Sequence, residues 1–357
     1  MENLAHTLFG ATVYKGHFEK YAPNTLALWV IGANLPDFDI VSRAWGSAAY
    51  LCQHRGLTHS ILGILLLSLL LASLWWVLQK VLKRESKWSI LFVSSLVSLS
   101  THPLLDFLNN YGIRPFLPFS KRWFYGDLVF IVDPWIWLIL GGALFLSSKS
   151  ETKSWLLYLL CSLITSVVVL GVGSVPLASK ALWVIATAGL IFWRVKAGVM
   201  STKVCRTAII FLLVYISMLY FLQQAATYAA KDYAKSGAVE EVTKFSVSAS
   251  PANPFRWEVF AESQNFFYYG AIRLYREPSA EVTLARRRVY RNHPAVQKAF
   301  LTDDGKAILD FGRYLLADVE TDPNGYSVIL GDGRYSRGGR SFSTFVIKIP
   351  RSEIEVK

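Results

Sequence analysis

The sequence predicts a polytopic α-helical membrane protein with a small α+β, strand-rich domain at its C-terminal end. Three observations carry that expectation. Hydrophobic residues make up 53% of the 357 positions and the mean hydropathy is +0.35, more apolar than a soluble globule of this size. Several uncharged stretches reach membrane-spanning length; the clearest, Ile61 to Leu78, can cross a hydrocarbon core of about 30 Å at about 1.5 Å per residue. After position 230 charged residues become frequent and alternating apolar–polar patterns begin, which divides the chain into a membrane domain, 1–230, and a soluble α+β domain, 231–357.

Charge follows the same division. The net charge is +12. Positions 1–230 hold 18 Lys/Arg against 9 Asp/Glu, and positions 231–357 hold 19 against 16, so the excess lies with the spans, where basic residues set orientation. No basic stripe is interleaved with exposed aromatics, so nucleic acid is not an expected partner. Cys52, Cys161 and Cys205 form no CxxC pair, which argues against a disulfide framework. The N-terminus lacks a basic n-region and a small-residue cleavage site, so the first helix is expected to stay.

Taken in order, residues 3–14 carry a helical pattern ended by Lys15-Gly16, and Thr25 to Leu35 forms a second short apolar helix stopped by Pro36. Residues 40–57 read as a loop, with Thr58 as N-cap of a long helix ending in the Lys80–Lys87 cluster. The next helix runs from Trp88 to about Leu108. A polar loop, 109–126, precedes Asp133-Pro134, an N-cap followed by Pro at the first helical position. Ser154–Ser179 holds one span, Ala181–Trp193 a shorter one and Thr207–Ala230 the last. In the C-terminal domain, strands are expected around Arg256, from Tyr314 to Glu320, from Gly325 to Leu330 and from Phe342 to Ile349, with a helix over Pro294 to Leu301. Ten basic residues on one side of the spans, Lys80 to Arg206, against four on the other place the first set in the cytoplasm. His54, His59, His102, Asp106 and the C-terminal domain then face the extracytoplasmic side.

All five aspartates before position 230 and four of the five histidines fall at helix ends or loops on that side. Mixed carboxylate and imidazole donors suit Zn, Mn or Fe. His102 and Asp106 are four apart on a helix and so share a face. His54 and His59 can converge through a turn at Gly56. Asp37 and Asp39 follow a Pro-terminated helix; Asp37 reads as the ligand and Asp39 as a second ligand or general base. Arg55, with its planar fork, suits an anionic group such as phosphate. Asp133 reads as an N-cap, Asp127 as a supporting loop residue, and Arg286-Arg287-Arg288 as a solvated face or a contact to anionic headgroups. There is no GxSxG, Walker A loop or HExxH.

Leu35-Pro-Asp-Phe-Asp39, His54-Arg-Gly-Leu-Thr-His-Ser60 and Thr101-His-Pro-Leu-Leu-Asp106, followed by Asn109 and Gly112, resemble the LexA-regulated, membrane-bound metal-dependent hydrolase family. The resemblance covers roughly positions 1–200, and the C-terminal domain looks like an extension found in one branch. It implies a multi-pass inner-membrane protein with an assigned hydrolase activity. A fainter similarity to zinc-dependent phospholipase C, read in ligand order, implies His6, Asp37, His54, His59, His102 and Asp106 as metal ligands. This chain departs from that pattern in lacking the later histidines and an N-terminal tryptophan ligand. The leading expectation is therefore a membrane hydrolase that cleaves an ester or phosphoester of a membrane-associated substrate with a zinc-activated water, Mn or Fe being alternatives. Membrane lipids are the expected partners and a lipid phosphoester the expected substrate, with Arg55 holding its anionic group. The other expectation is a non-catalytic metal-binding membrane protein whose C-terminal domain binds a partner.

Overall fold

The computed structural model describes all residues except 150, 174, 275–280, 337–338 and 355–357. Among these residues, five helices are long and apolar enough to cross a membrane. The fold class matches the expectation: helices occupy the N-terminal part and two strand sheets the C-terminal part. The chain packs as two compact units. The first comprises Met1–Phe38, Arg55–Gln223 and Ser248–Arg256; the second comprises Asp39–His54, Gln224–Val247 and Trp257–Lys357. The division expected at position 230 thus lies inside a segment of the second unit, which also takes in the 39–54 stretch.

In the first unit, α1 (Asn3–Val13) packs on α2 (Leu26–Asn34), and α2 packs on the long helix Trp88–Phe107. Two glycines permit this closeness. A Cβ on Gly10 would lie 2.8 Å from Ala33 Cβ, and one on Gly32 would lie 2.6 Å from Ser98 Oγ. Trp29, fully buried, accepts a hydrogen bond from Ser98 Oγ at its carbonyl, 2.7 Å away. Leu28, Trp29, Ile64, Leu71, Leu91 and Leu99 form a core between α2, the helix Ile61–Val81 and the helix Trp88–Phe107. Instead of stopping at Lys15-Gly16, the first helix continues in a wider turn to Phe18.

Residues 40–57, expected as a loop, are mostly helical. A run of 3-10 turns covers Leu35–Trp45, where Pro36 cannot continue an α-helical ladder, and α3 spans Ser47–Gln53. Helix α4 (Ile61–Val81) is capped by Ser60 rather than Thr58: Ser60 Oγ accepts the Gly63 N–H at 3.0 Å. His59 therefore lies in a preceding 3-10 turn, Leu57–His59, outside the first turn of α4. Helix α5 is Trp88–Phe107, with Pro103 inside it.

Helix α6 (Pro134–Ser147) begins as expected, with Asp133 Oδ1 accepting the Trp135 and Ile136 N–H groups at 2.9 and 3.3 Å. Helices α7 (Glu151–Gly171), α8 (Leu177–Ala197) and α9 (Lys203–Tyr233) follow. Helix α8 has 21 residues and is a full-length span, longer than the sequence suggested. Asp127 is held within the first unit by Ser248, whose Oγ donates to its carboxylate at 2.8 Å.

The second unit carries most of a four-stranded sheet in the order β1-β2-β3-β4 (Lys244–Ser250, Asn253–Glu262, Phe266–Arg273, Glu281–Arg288). An antiparallel three-stranded sheet adds β5-β6-β7 (Leu315–Asp322, Gly325–Asp332, Phe345–Pro350). Helices α10 (Pro294–Ala299) and α11 (Asp303–Phe311) pack on the smaller sheet, and α3 packs on α11. Strands β1, β3 and β4 and helix α11 escaped the sequence reading. Arg286–Arg288 lie in β4, and Arg287 pairs with Asp318 rather than standing free.

Burial pushes the Asp133 carboxyl up to about 6, from an ordinary value near 4. A raised carboxyl pKa means the folded state binds the proton more readily than the unfolded chain. The ionised form is penalised above about pH 6, and the penalty disappears as pH falls toward 4. Asp133→Asn keeps the capping oxygen and removes the charge. Thermal unfolding in detergent should therefore show Asp133→Asn at least as stable as wild type at pH 7 and lacking the wild-type gain between pH 7 and 5. Asp133→Ala should be less stable than Asp133→Asn by about 1 kcal/mol through the missing cap.

Candidate metal centre

The centre begins at the end of α2. The last carbonyls of a helix have no partner within it, and the Ala33 carbonyl accepts a hydrogen bond from His102 Nδ1 at 2.7 Å. A carbonyl can only accept, so His102 Nδ1 carries the hydrogen. In the neutral imidazole the other nitrogen, Nε2, then presents a lone pair. That nitrogen is buried and lies 3.3 Å from Asp37 Oδ1 and 3.3 Å from Asp106 Oδ2. His59 approaches the same two oxygens, its Nε2 lying 3.5 Å from Asp37 Oδ1 and 3.4 Å from Asp106 Oδ2.

The four donor atoms lie within 4.8 Å of one another. A tetrahedron with ligands at about 2.0–2.1 Å has edges of about 3.3 Å, which the four measured approaches match. The donor chemistry also fits. An ionised Asp37 carboxylate has no hydrogen to offer and only accepts. Carboxylate oxygens facing an imidazole lone pair are mutually unfavourable until a proton or a cation lies between them. Asp37, His59, His102 and Asp106 thus form a cluster able to hold a metal ion.

Around this group lies a second set of contacts. Asp106 Oδ1 accepts from Arg55 at 2.8 Å and from the Met1 amino group. Arg55 is buried, with φ +54°, and its Nη1 donates to Asn109 Oδ1 at 3.0 Å and to the Gly112 carbonyl at 3.3 Å. The Tyr111 ring lies under its guanidinium, 4.5 Å from the centroid. Asn109 Oδ1 also accepts the Tyr111 N–H at 2.9 Å, which fixes the turn after α5. His6 lies beside the four-donor group: its ring stacks on His102 at 3.7 Å, and its Nε2 is 3.4 Å from Asp106 Oδ1. Burial pushes both the His6 imidazole and the Met1 amine down, toward their neutral forms.

The structure therefore brings together Asp37, His59, His102 and Asp106, places His6 against them, and pairs Arg55 with Asp106. His54 and Asp39 fall in the second unit, where His54 Nδ1 and Asp39 Oδ1 are 2.8 Å apart and the imidazole stacks on Tyr50. Sequence reasoning missed the Ala33 carbonyl, the Met1 amine and the Tyr111 ring, none of which carries a signal in spacing. Asn109, which follows the Thr101–Asp106 motif in the sequence, orients Arg55.

Residues 1–176 match a family described as YdjM inner membrane protein. The Bacillus subtilis (strain 168) protein named Uncharacterized protein YfhP is 30% identical over 107 residues, which is 30% of this chain and 32% of that protein. The chain thus spans about a third of that relative's length. No solved structure matches. The family match and the five long apolar helices support a multi-pass membrane protein.

Removing one partner of a buried ion pair costs about 3–5 kcal/mol, because the other charge stays buried and uncompensated. Arg55→Met should lower detergent-phase stability by that order. Adding Asp106→Asn to it should cost much less than the sum of the two single changes. A double-mutant cycle on thermal unfolding checks this, and additive costs would mean the pair is not coupled.

Proposed function

We propose that this protein is a membrane-bound, metal-dependent hydrolase that cleaves an ester or phosphoester of a membrane-associated substrate. One observation carries the reading: the His102 lone pair and the His59 ring face two carboxylates at tetrahedral-edge spacing in a buried site. Two carboxylates against one guanidinium leave the centre negative, which favours a divalent cation. Zinc suits this donor set and spacing best, with Mn or Fe as alternatives. When bound, such an ion supplies a water of lowered pKa and polarises an ester or phosphoryl oxygen.

The chain's own residues have separable parts in this reading. His102 is fixed by the Ala33 carbonyl and His59 by its Thr58 neighbour, so each imidazole presents Nε2. Arg55 and Asn109 hold Asp106 in place, which makes Arg55 a positioning residue in addition to its proposed contact with an anionic substrate. Asp37 has the more accessible side chain of the two carboxylates, 15% exposed against none for Asp106, and so marks the side from which substrate enters. Asp39, two positions after Asp37 in the sequence, is the proposed general base.

A second reading has its own support. His59, His102 and Asp106 are buried, and a four-ligand site closed to solvent suits a structural or sensing metal in a non-catalytic membrane protein. Elemental analysis of detergent-purified protein separates both readings from a metal-free one. Near one equivalent of Zn, Mn or Fe is expected, falling at least tenfold in His102→Ala and in Asp106→Ala. Hydrolysis of phospholipid or of an aryl phosphodiester by the metal-loaded wild type, absent in Asp37→Asn that still holds metal, supports the enzyme. Full metal with no turnover of any ester supports the structural site.

We also propose that the protein lies in the inner membrane with the metal centre and the C-terminal domain on the extracytoplasmic side. Cys52 is exposed and Cys205 buried. A membrane-impermeant maleimide applied to intact spheroplasts should label wild type and leave Cys52→Ser unlabelled. Labelling that needs permeabilised membranes would reverse the orientation.

A further inference from the structure

On the face of α1 turned away from His102, an apolar groove runs between α1, α6 and α7 in the first unit. Its volume is about 300 Å³, and Leu8, Trp137, Gly141 and Leu157 are among the residues that line it. From Leu4 to Lys15, both lining residues, a helix rises about 16 Å, the length of roughly a dozen extended methylenes. The lining is charged at two positions, Lys15 and Lys153, and no carboxylate lies among the residues described there. Both lysines belong to the end of the groove beyond Ala11, where α1 turns toward α2 and α7 begins.

We infer that this groove binds one anionic glycerophospholipid, with an acyl chain along the apolar walls and the phosphate between Lys15 and Lys153. The occupant follows from charge and shape. A narrow apolar channel ending in two ammonium groups and no acid complements a chain ending in a negative headgroup, and a zwitterionic lipid brings a cation that the lysines repel. Leu4 and Leu8 face the groove while His6, between them in sequence, faces the metal cluster, so the lipid rests on the helix that carries His6. The inference does not depend on what the metal centre does.

The test uses the full chain in a nonionic detergent with equal amounts of phosphatidylglycerol and phosphatidylcholine of the same chain length, and native mass spectrometry counts the lipid retained. Wild type should keep one phosphatidylglycerol in at least tenfold preference over phosphatidylcholine. The double variant Lys15→Ala/Lys153→Ala should lose that preference, since each basic residue near an anionic headgroup contributes roughly a fivefold effect. Gly141→Leu should displace the acyl chain. Its Cβ meets Leu8 only at ordinary contact, 3.9 Å, so the added bulk enters the groove rather than a neighbouring backbone. Leu157→Trp, at an exposed position of the lining, fills the groove from α7 and serves if Gly141→Leu does not fold. Metal content should be unchanged in all of these variants. Equal retention of the two lipids overturns the inference, as does phosphatidylglycerol kept at wild-type level by both groove-filling variants. A dimer that disappears in Gly141→Leu also overturns it, because the occupant is then a second copy of the chain.

Discussion

The buried carboxylate of Asp106 is the constraint on which the membrane unit depends. A charge inside an apolar helical bundle is stable only when both of its oxygens are answered. Here one oxygen is answered by Arg55 and the Met1 amino group, and the other faces His59 and His102. These partners come from the start of the chain, the turn before α4 and α5 itself. Satisfying one side chain therefore fixes three separate segments against each other. The fit also needs close backbones, and Gly10 and Gly32 leave the space for them: with a Cβ at either position, α1 or α5 would have to move away from α2. His102 would then lose the Ala33 carbonyl that sets its tautomer.

The same arrangement explains why the cluster is suited to a cation rather than to a proton network. A hydrogen-bonded network pairs donors with acceptors. This one places carboxylate oxygens against an imidazole nitrogen whose partner nitrogen has already given its hydrogen to a carbonyl. Such a confrontation inside a protein is costly unless a positive charge resolves it. Arg55 relieves part of the negative charge, but it does so from the far side of Asp106, at Oδ1, and leaves Oδ2 to the histidines. The proposed hydrolase chemistry grows from that asymmetry: a rigid, partly neutralised carboxylate at the back and a more accessible one, Asp37, at the front.

The division into two units cuts the chain at informative places. Asp37 and Arg55 belong to the first unit, and the segment between them, 39–54, belongs to the second, where α3 packs on α11. The expected His54 and Asp39 ligands thus sit in a stretch that folds with the C-terminal strands, and within that unit they pair with each other at 2.8 Å. Nothing in the local sequence signals this. Residues 40–57 have the composition of a connecting loop, and their partner helix lies some 250 positions away.

What the sequence determined by itself is the inventory. Hydropathy located the long spans, because burial in lipid requires uncharged runs of fixed length whatever packs beside them. Asp133-Pro134 announced the start of α6, because capping is a local interaction between neighbours in the chain. The spacing of His102 and Asp106 placed both on one helical face for the same reason. Sequence also singled out Asp37 and His59 as donors, alongside His6, His54 and Asp39. That Asp37 and His59 meet His102 and Asp106 in one four-donor group was decided by tertiary structure alone. Which donors meet depends on where helices tens of residues apart cross and how closely glycines let them approach, and on where a helix end leaves a carbonyl free. Strands β1, β3 and β4 were hidden for a related reason: they owe their form to partners across the sheet, and their own alternation is too weak to report it.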